Sequence, residues 1–277
     1  MTASTAPLRS HIRPRDVVTD TIVIMRRNLL RNVRLPQLLL FSTVQPVMFL
    51  LLFNYVFGGA IGQVIPGGFD YLQWLMPGLL VQISVFGSGQ TALGLTEDLS
   101  KGVIDRFRSL PMARSAVLAG RTLADLVRNA GVLSLMMVVG FVIGFRYETN
   151  VLSFLAGVVL ALLFAYALSW VMGTIGLLVG NPEAAQSAVF LPVFPLVFAS
   201  SVFLPTQTMP DWLRAFADHQ PISVIANTIR ALMLGGDVAL LPGETVAGQV
   251  VVSLLWVVGI TVVFATLAVR TYRRTVS

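Results

Sequence analysis

Six long apolar stretches, nearly free of charge, alternate with segments that hold almost every arginine of this 277-residue chain. A run of about 20 apolar residues is long enough to cross the hydrocarbon core of a bilayer as a helix. Inside that core every backbone polar group must be satisfied within the segment, which favours helices. The chain is therefore read as an all-α membrane protein. Composition agrees: 56% of the residues are hydrophobic and 12% are charged, against about 25% charged in soluble domains.

The predicted spans are 37–57, 71–95, 115–144, 151–178, 186–203 and 246–268. Residues 1–16 are polar and read as a flexible N-terminus, without the apolar core of a cleavable signal peptide. In 17–35, Ile22, Met25, Leu29 and Val33 recur at helical spacing beside Arg26, Arg27, Arg31 and Arg34. This pattern predicts an amphipathic helix lying in the membrane interface. Residues 36–277 form the six-span membrane domain. Within it, 96–114 is a charged loop and 204–245 is the longest connection, with short helices expected at 212–217 and 222–234. Asn181 and Pro182 are expected to turn the chain between the fourth and fifth spans.

Charge placement predicts orientation. Sixteen of the nineteen basic residues precede the first span, lie in or just after the 96–114 loop, or form the tail of Arg270, Arg273 and Arg274. Only Arg146, Arg214 and Arg230 fall on the other side. Basic residues accumulate on the cytoplasmic side, so both termini are expected there. The net charge of +6 then faces anionic lipid, and no nucleic-acid partner is expected.

Several chemistries are excluded. Without cysteine and with two histidines, the chain offers no thiolate or imidazole metal cluster. A P-loop needs clustered glycines before its lysine, and the single lysine, Lys101, lacks them. No catalytic constellation and no cofactor are expected in this chain. The middles of the spans lack charged residues, which argues against proton-coupled transport. Asp125 and Arg128 lie near a span end, spaced to pair with each other or with Arg121. Any transport must draw its energy from outside the chain.

Two sets of residues remain. Gln45, Asn54, Gln82, Gln90 and Ser201, with Phe49, Phe53, Phe86, Phe194 and Phe198, either bind helices to one another or line a route for an amphipathic solute. The loop carries Glu97 and Asp98, then Lys101 and Gly102, then Ile104, Asp105, Arg106, Phe107 and Arg108. Acidic residues before basic ones suit the helix dipole, and Ile104 and Phe107 share one face. A cytosolic partner can grip such a helix; the alternative is a solvated positive loop.

The stretch EDLSKGVIDRFRSLPMAR resembles the cytosolic loop of type 2 ABC-transporter permeases. FLPTQTMPDWLRAFADHQPIS resembles that family's second signature, with Phe203, Pro205, Met209, Pro210, Trp212 and Pro221 at matching positions. The likeness runs through the whole chain and is nearest to daunorubicin-resistance permeases. It departs at His219-Gln220-Pro221, where many members have Asn-Pro; Gln-Pro occurs in some mycobacterial lipid exporters, which widens the substrate class. The resemblance implies a permease subunit of an ATP-driven exporter of drugs or lipids in the bacterial plasma membrane. It implies a second permease copy, identical or related, and two copies of a separate ATPase that holds ATP and magnesium. Residues 97–108 would couple to that ATPase, and the interfacial helix would contact it. Residues 204–234 would close the extracellular end with re-entrant helices, reaching back so that Arg214 or Arg230 meets the outer surface. A glycan or lipid-linked polymer permease, and a membrane scaffold, are the alternatives.

Overall fold

The structure, a computed structural model, describes residues 14–34, 36–103, 114–235, 240 and 243–275. All regular structure among them is helical. In chain order the α-helices are α1 (Pro14–Arg34), α2 (Pro36–Leu52), α3 (Gly58–Ile61), α4 (Tyr71–Ser100), α5 (Arg114–Ile143), α6 (Val151–Val179), α7 (Pro182–Phe198), α8 (Asp211–His219), α9 (Pro221–Leu234) and α10 (Val246–Thr275).

Among the described residues, five helical segments are long and apolar enough to cross a membrane: Val44–Val64, Tyr71–Ser100, Ala116–Ile143, Val151–Val179 and Val246–Tyr272. Two details differ from the sequence reading. The first span does not end at the glycines after Phe57. A π-helical turn (Phe53–Phe57) leads into α3 and a 3₁₀ turn at Gly62–Val64, so the glycines stay helical. The span expected at 186–203 is a 17-residue helix, α7, that stops at Phe198. Pro192 and Pro195 lie inside it and contribute no N–H, and the chain turns after Ala199.

α4 is the axis of the molecule, with 78% of its apolar window buried. A helix that is apolar all round belongs inside. Its largest contact is with α6, through small residues. A Cβ added at Gly176 would stand 2.9 Å from the Ala92 carbonyl oxygen. The Ser84 hydroxyl donates to the Ala161 carbonyl across the same seam at 3.1 Å. Small residues of this kind let helices approach where water gives no driving force. Leu75, Leu79, Leu80, Leu133, Met136, Phe164 and Ile225 fill the core around α4. α10 lies outside α6 with a narrow buried stripe, Gln249, Ser253, Val257, Ala268 and Tyr272.

The turns follow local chemistry. Gly180 ends α6 with φ of 67°, a left-handed cap that suits glycine. Asn181 then caps α7 by accepting from the Glu183 and Ala184 amides at 2.9 and 3.2 Å, with Pro182 in the first helical position. Gly144, at φ of 117°, opens the α5–α6 turn. Phe145 is wholly buried there, and Thr149 donates to the Leu232 carbonyl at 2.6 Å, tying the turn to α9.

Candidate functional site

Three helices meet in a chain of charge at one end of α4. Arg121, Asp125 and Arg128 recur along one face of α5. Asp98, in the last turns of α4, receives Arg27 Nη2 of α1 at 2.9 Å and Arg121 Nη1 at 3.1 Å. Asp125 stands 4.0 Å from Arg121 Nε and 3.7 Å from Arg128 Nη2, so the pairing read from spacing is present. Thr91 of α4 donates to Asp125 at 2.6 Å, and Arg128 donates to the Gly87 carbonyl at 2.6 Å. Glycine makes the approach possible: a Cβ at Gly94 would overlap the Arg121 guanidinium, and one at Gly120 would stand 2.7 Å from the Thr21 carbonyl oxygen of α1.

The placement of α1 refines the amphipathic pattern. Ile24 and Asn28 are the residues it buries, while Ile22 and Val23 are exposed. Arg26 is exposed and Arg27 half-buried. The side chains of Arg31 and Arg34 lie outside the described set. Glu97 and Asp98 sit in the helix rather than in a loop, and Glu97 meets Lys101 at 3.5 Å. Gly102 follows with φ of 64°. Ile104, Asp105, Arg106, Phe107 and Arg108 lie outside the described residues.

Beside this chain of charge a cleft opens between α2, α4, α5 and α7, with about 120 Å³ of free space. Gln45, Phe49, Gln82, Phe86 and Gln90, chosen from sequence as route residues, line it together. Arg128, Asn129 and Phe190 join them, three residues that sequence reasoning did not assign to the route. Their signal was an adjacent Arg-Asn pair on the α5 face already marked by Arg121 and Asp125.

The other predicted route residues lie along an aromatic run leaving the cleft. Phe86 faces Phe194 (6.2 Å between centroids), Phe194 stacks on Phe198 (4.7 Å), and Phe198 stacks on Phe203 (5.0 Å). Phe203 in turn stacks on Phe53 (4.5 Å), which stacks on Phe49 (5.8 Å). Asn54 lies beside Phe53 in the π-helical turn, half-buried. Ser201 is buried away from the cleft, bonded to Asn227 at 2.8 Å and engaged by Arg230.

Arg230 was expected at the outer surface and is instead wholly buried. Its five N–H groups all find acceptors. Nε donates to the Trp74 carbonyl at 3.0 Å. Nη1 donates to Ser201 Oγ and Asn227 Oδ1 at 3.2 and 2.8 Å. Nη2 donates to the Ser201 and Val202 carbonyls at 2.6 and 2.9 Å. The guanidinium also lies 3.9 Å from the centre of the Trp74 ring, a cation–π contact. Gly78 clears the space, since a Cβ there would overlap the Val202 carbonyl. Of the second signature's residues, Phe203 and Pro205 are buried, Met209 and Pro221 half-buried, and Pro210 and Trp212 exposed. Gln220 donates from its side chain to the Leu196 and Ala199 carbonyls at the end of α7.

Among the described residues no group of three His, Cys, Asp or Glu side chains is placed to hold a metal ion. The family described as ABC-2 type transporter matches residues 19–234. The daunorubicin resistance ABC transporter permease protein DrrB1 of Streptomyces coeruleorubidus is 33% identical over 258 residues, 92% of this chain and 87% of that protein. The doxorubicin resistance ABC transporter permease protein DrrB of Mycobacterium tuberculosis is 28% identical over 219 residues, 79% of this chain and 74% of that protein.

Proposed function

The chain belongs to the ABC-2 type transporter family, and from that premise we propose that it is the permease of an ATP-driven exporter of hydrophobic or amphipathic compounds, drugs or lipids, across the bacterial plasma membrane. Two permease copies assemble with two copies of a separate ATPase, which carries ATP and magnesium. α7 is the sixth crossing, shortened by its prolines, and both termini face the cytoplasm. The names of the relatives, which include daunorubicin and doxorubicin resistance, support this substrate class.

The observation that carries the reading is the bonding of Asp98 to Arg27 and Arg121. It ties the interfacial helix and α5 to the end of α4 just before the loop that continues to Arg108. A push by the ATPase on that loop is delivered to three helices at once. The packed bundle then switches between inward-open and outward-open arrangements rather than deforming gradually. Solute passes the cleft and the aromatic run, and the segment after α7, held by Arg230, closes the outer end.

The test is a tagged purification from the native host, with mass spectrometry of what co-purifies and an ATP-turnover assay. Recovery of a P-loop ATPase whose rate changes with added amphipathic drugs or lipids is expected. A chain recovered alone and inert with ATP, in detergents that preserve other ABC complexes, contradicts the reading and favours a scaffold.

A further inference from the structure

We propose that the cleft between α2, α4, α5 and α7 is a headgroup site that selects amphipaths with an anionic head, a carboxylate or phosphate, held by Arg128 with Asn129 and Gln82. The inference rests on the permease reading and narrows its substrate class.

The cleft is built of unengaged donors. Arg128 has a side chain only 10% exposed, yet it gives one short hydrogen bond, from Nη2 to the Gly87 carbonyl. Its Nε is buried with no acceptor among the described residues, and its Nη1 donates to none of them. Asn129, at 1% exposure, leaves its Nδ2 equally unpartnered. Gln82 is buried and lines the same space. A buried donor without an acceptor is costly, so Arg128 Nε and Asn129 Nδ2 together favour a ligand that brings oxygen atoms.

Sign follows from the lining. Arg128 is the only ionisable side chain among the described lining residues. The nearest carboxylate, Asp125, accepts from Thr91 and lies between Arg121 and Arg128. It pairs with Arg128 through Nη2 at 3.7 Å and is shared with Arg121 at 4.0 Å, so the pairing does not use Nε or Nη1 of Arg128. A guanidinium with free N–H groups matches carboxylate and phosphate geometry. A cationic head meets no complementary charge here.

Shape adds the apolar half. About 120 Å³ holds a head and a few carbons, not a whole amphipath. Phe49, Phe86 and Phe190 form the walls, and Phe190 is 41% exposed, so the cleft is open at that side. The rest of the molecule leaves along Phe194 and Phe198, which are 49% and 42% exposed.

Native mass spectrometry of the purified full-length chain tests this without ATP. The probes are palmitoyl lysophosphatidic acid, monopalmitoylglycerol and hexadecyltrimethylammonium, with inorganic phosphate as competitor. Wild type is expected to hold the phosphate-headed probe at least about tenfold tighter than the neutral one, the worth of one charge-assisted hydrogen bond. Arg128→Gln is expected to abolish that preference, while Arg128→Lys keeps part of it. Asn129→Asp, which adds a carboxylate to the cleft, is expected to favour the cationic probe and guards against misfolding of the first variant. Arg214→Gln, remote from the cleft, keeps the wild-type preference. Equal binding of the three probes, or a preference that survives Arg128→Gln, overturns the proposal. Displacement by equimolar inorganic phosphate also overturns it, because the site is then one for a free anion. The permease reading fails separately, by absence of an ATPase partner.

Discussion

Two arginine centres stand at opposite ends of α4, and they are built in opposite ways. Arg230 is wholly buried, every N–H engaged, its acceptors all neutral. The other centre, Arg27, Asp98, Arg121, Asp125 and Arg128, is held by carboxylates at 2.9–4.0 Å, and one end, Arg128, keeps donors free. The first arrangement fixes one geometry, because any movement orphans backbone carbonyls. The second shares each carboxylate between two guanidiniums, Asp98 between Arg27 and Arg121 and Asp125 between Arg121 and Arg128, so one charged partner can stand in for another. The comparison teaches that α4 is locked at one end and adjustable at the other.

The largest effect that can break this contrast is loss of the lock. Arg230→Ala leaves the acceptors of Trp74, Ser201, Asn227 and Val202 without their donor. At roughly 1–3 kcal/mol for each orphaned buried group, the folded yield in membranes is expected to collapse. Arg230→Lys is not expected to rescue it, because an ammonium cannot span the same fork. Thermal unfolding in detergent, read by tryptophan fluorescence, checks both.

Next is Gly94→Ala, which drives a methyl into the Arg121 guanidinium. A loss of about 1–3 kcal/mol is expected, as for overpacking, together with weaker response to ATP in the assembled complex. Gly131→Ala on α5, the helix that carries Arg121, has nothing within 4 Å of its added Cβ and serves as control.

Asp98→Ala sharpens the contrast from the adjustable side. Stability is expected to fall by about 2 kcal/mol, the worth of charge-assisted hydrogen bonds to a mostly buried carboxylate, while ATP hydrolysis continues and transport is lost. Arg106→Ala, in the loop, is expected to uncouple in the same way. The smallest effect is at Gln220, whose amide closes the end of α7. Gln220→Ala is expected to cost about 1 kcal/mol, and Gln220→Asn nearly as much, because its amide stops one carbon short.

The parts of this account legible in the sequence were those written in local pattern. Apolar length marked five of the six expected spans, Asn181-Pro182 marked a turn, and the mix of glutamines and phenylalanines marked five residues that line one cleft. The knot at Arg230 was not legible. Its partners are backbone carbonyls up to 156 residues away in sequence, and periodicity carries no record of which carbonyls a turn leaves free. On composition alone Arg230 looked like one more boundary charge. Arg128 was hidden for the same reason: it counted as a positive-inside residue, and only packing of α5 on α4 brings it beside Gln82. The early end of α7 depended on Pro192 and Pro195 acting with Gln220, a residue from beyond the next helix.

The central claim is that Asp98 links ATP hydrolysis to movement of the bundle. The most direct measurement is ATP-driven accumulation of the palmitoyl lysophosphatidic acid probe in inverted membrane vesicles carrying the chain with its ATPase, for wild type and Asp98→Ala at matched ATP turnover. The account predicts accumulation by wild type and none by the variant. Equal accumulation by both would contradict it.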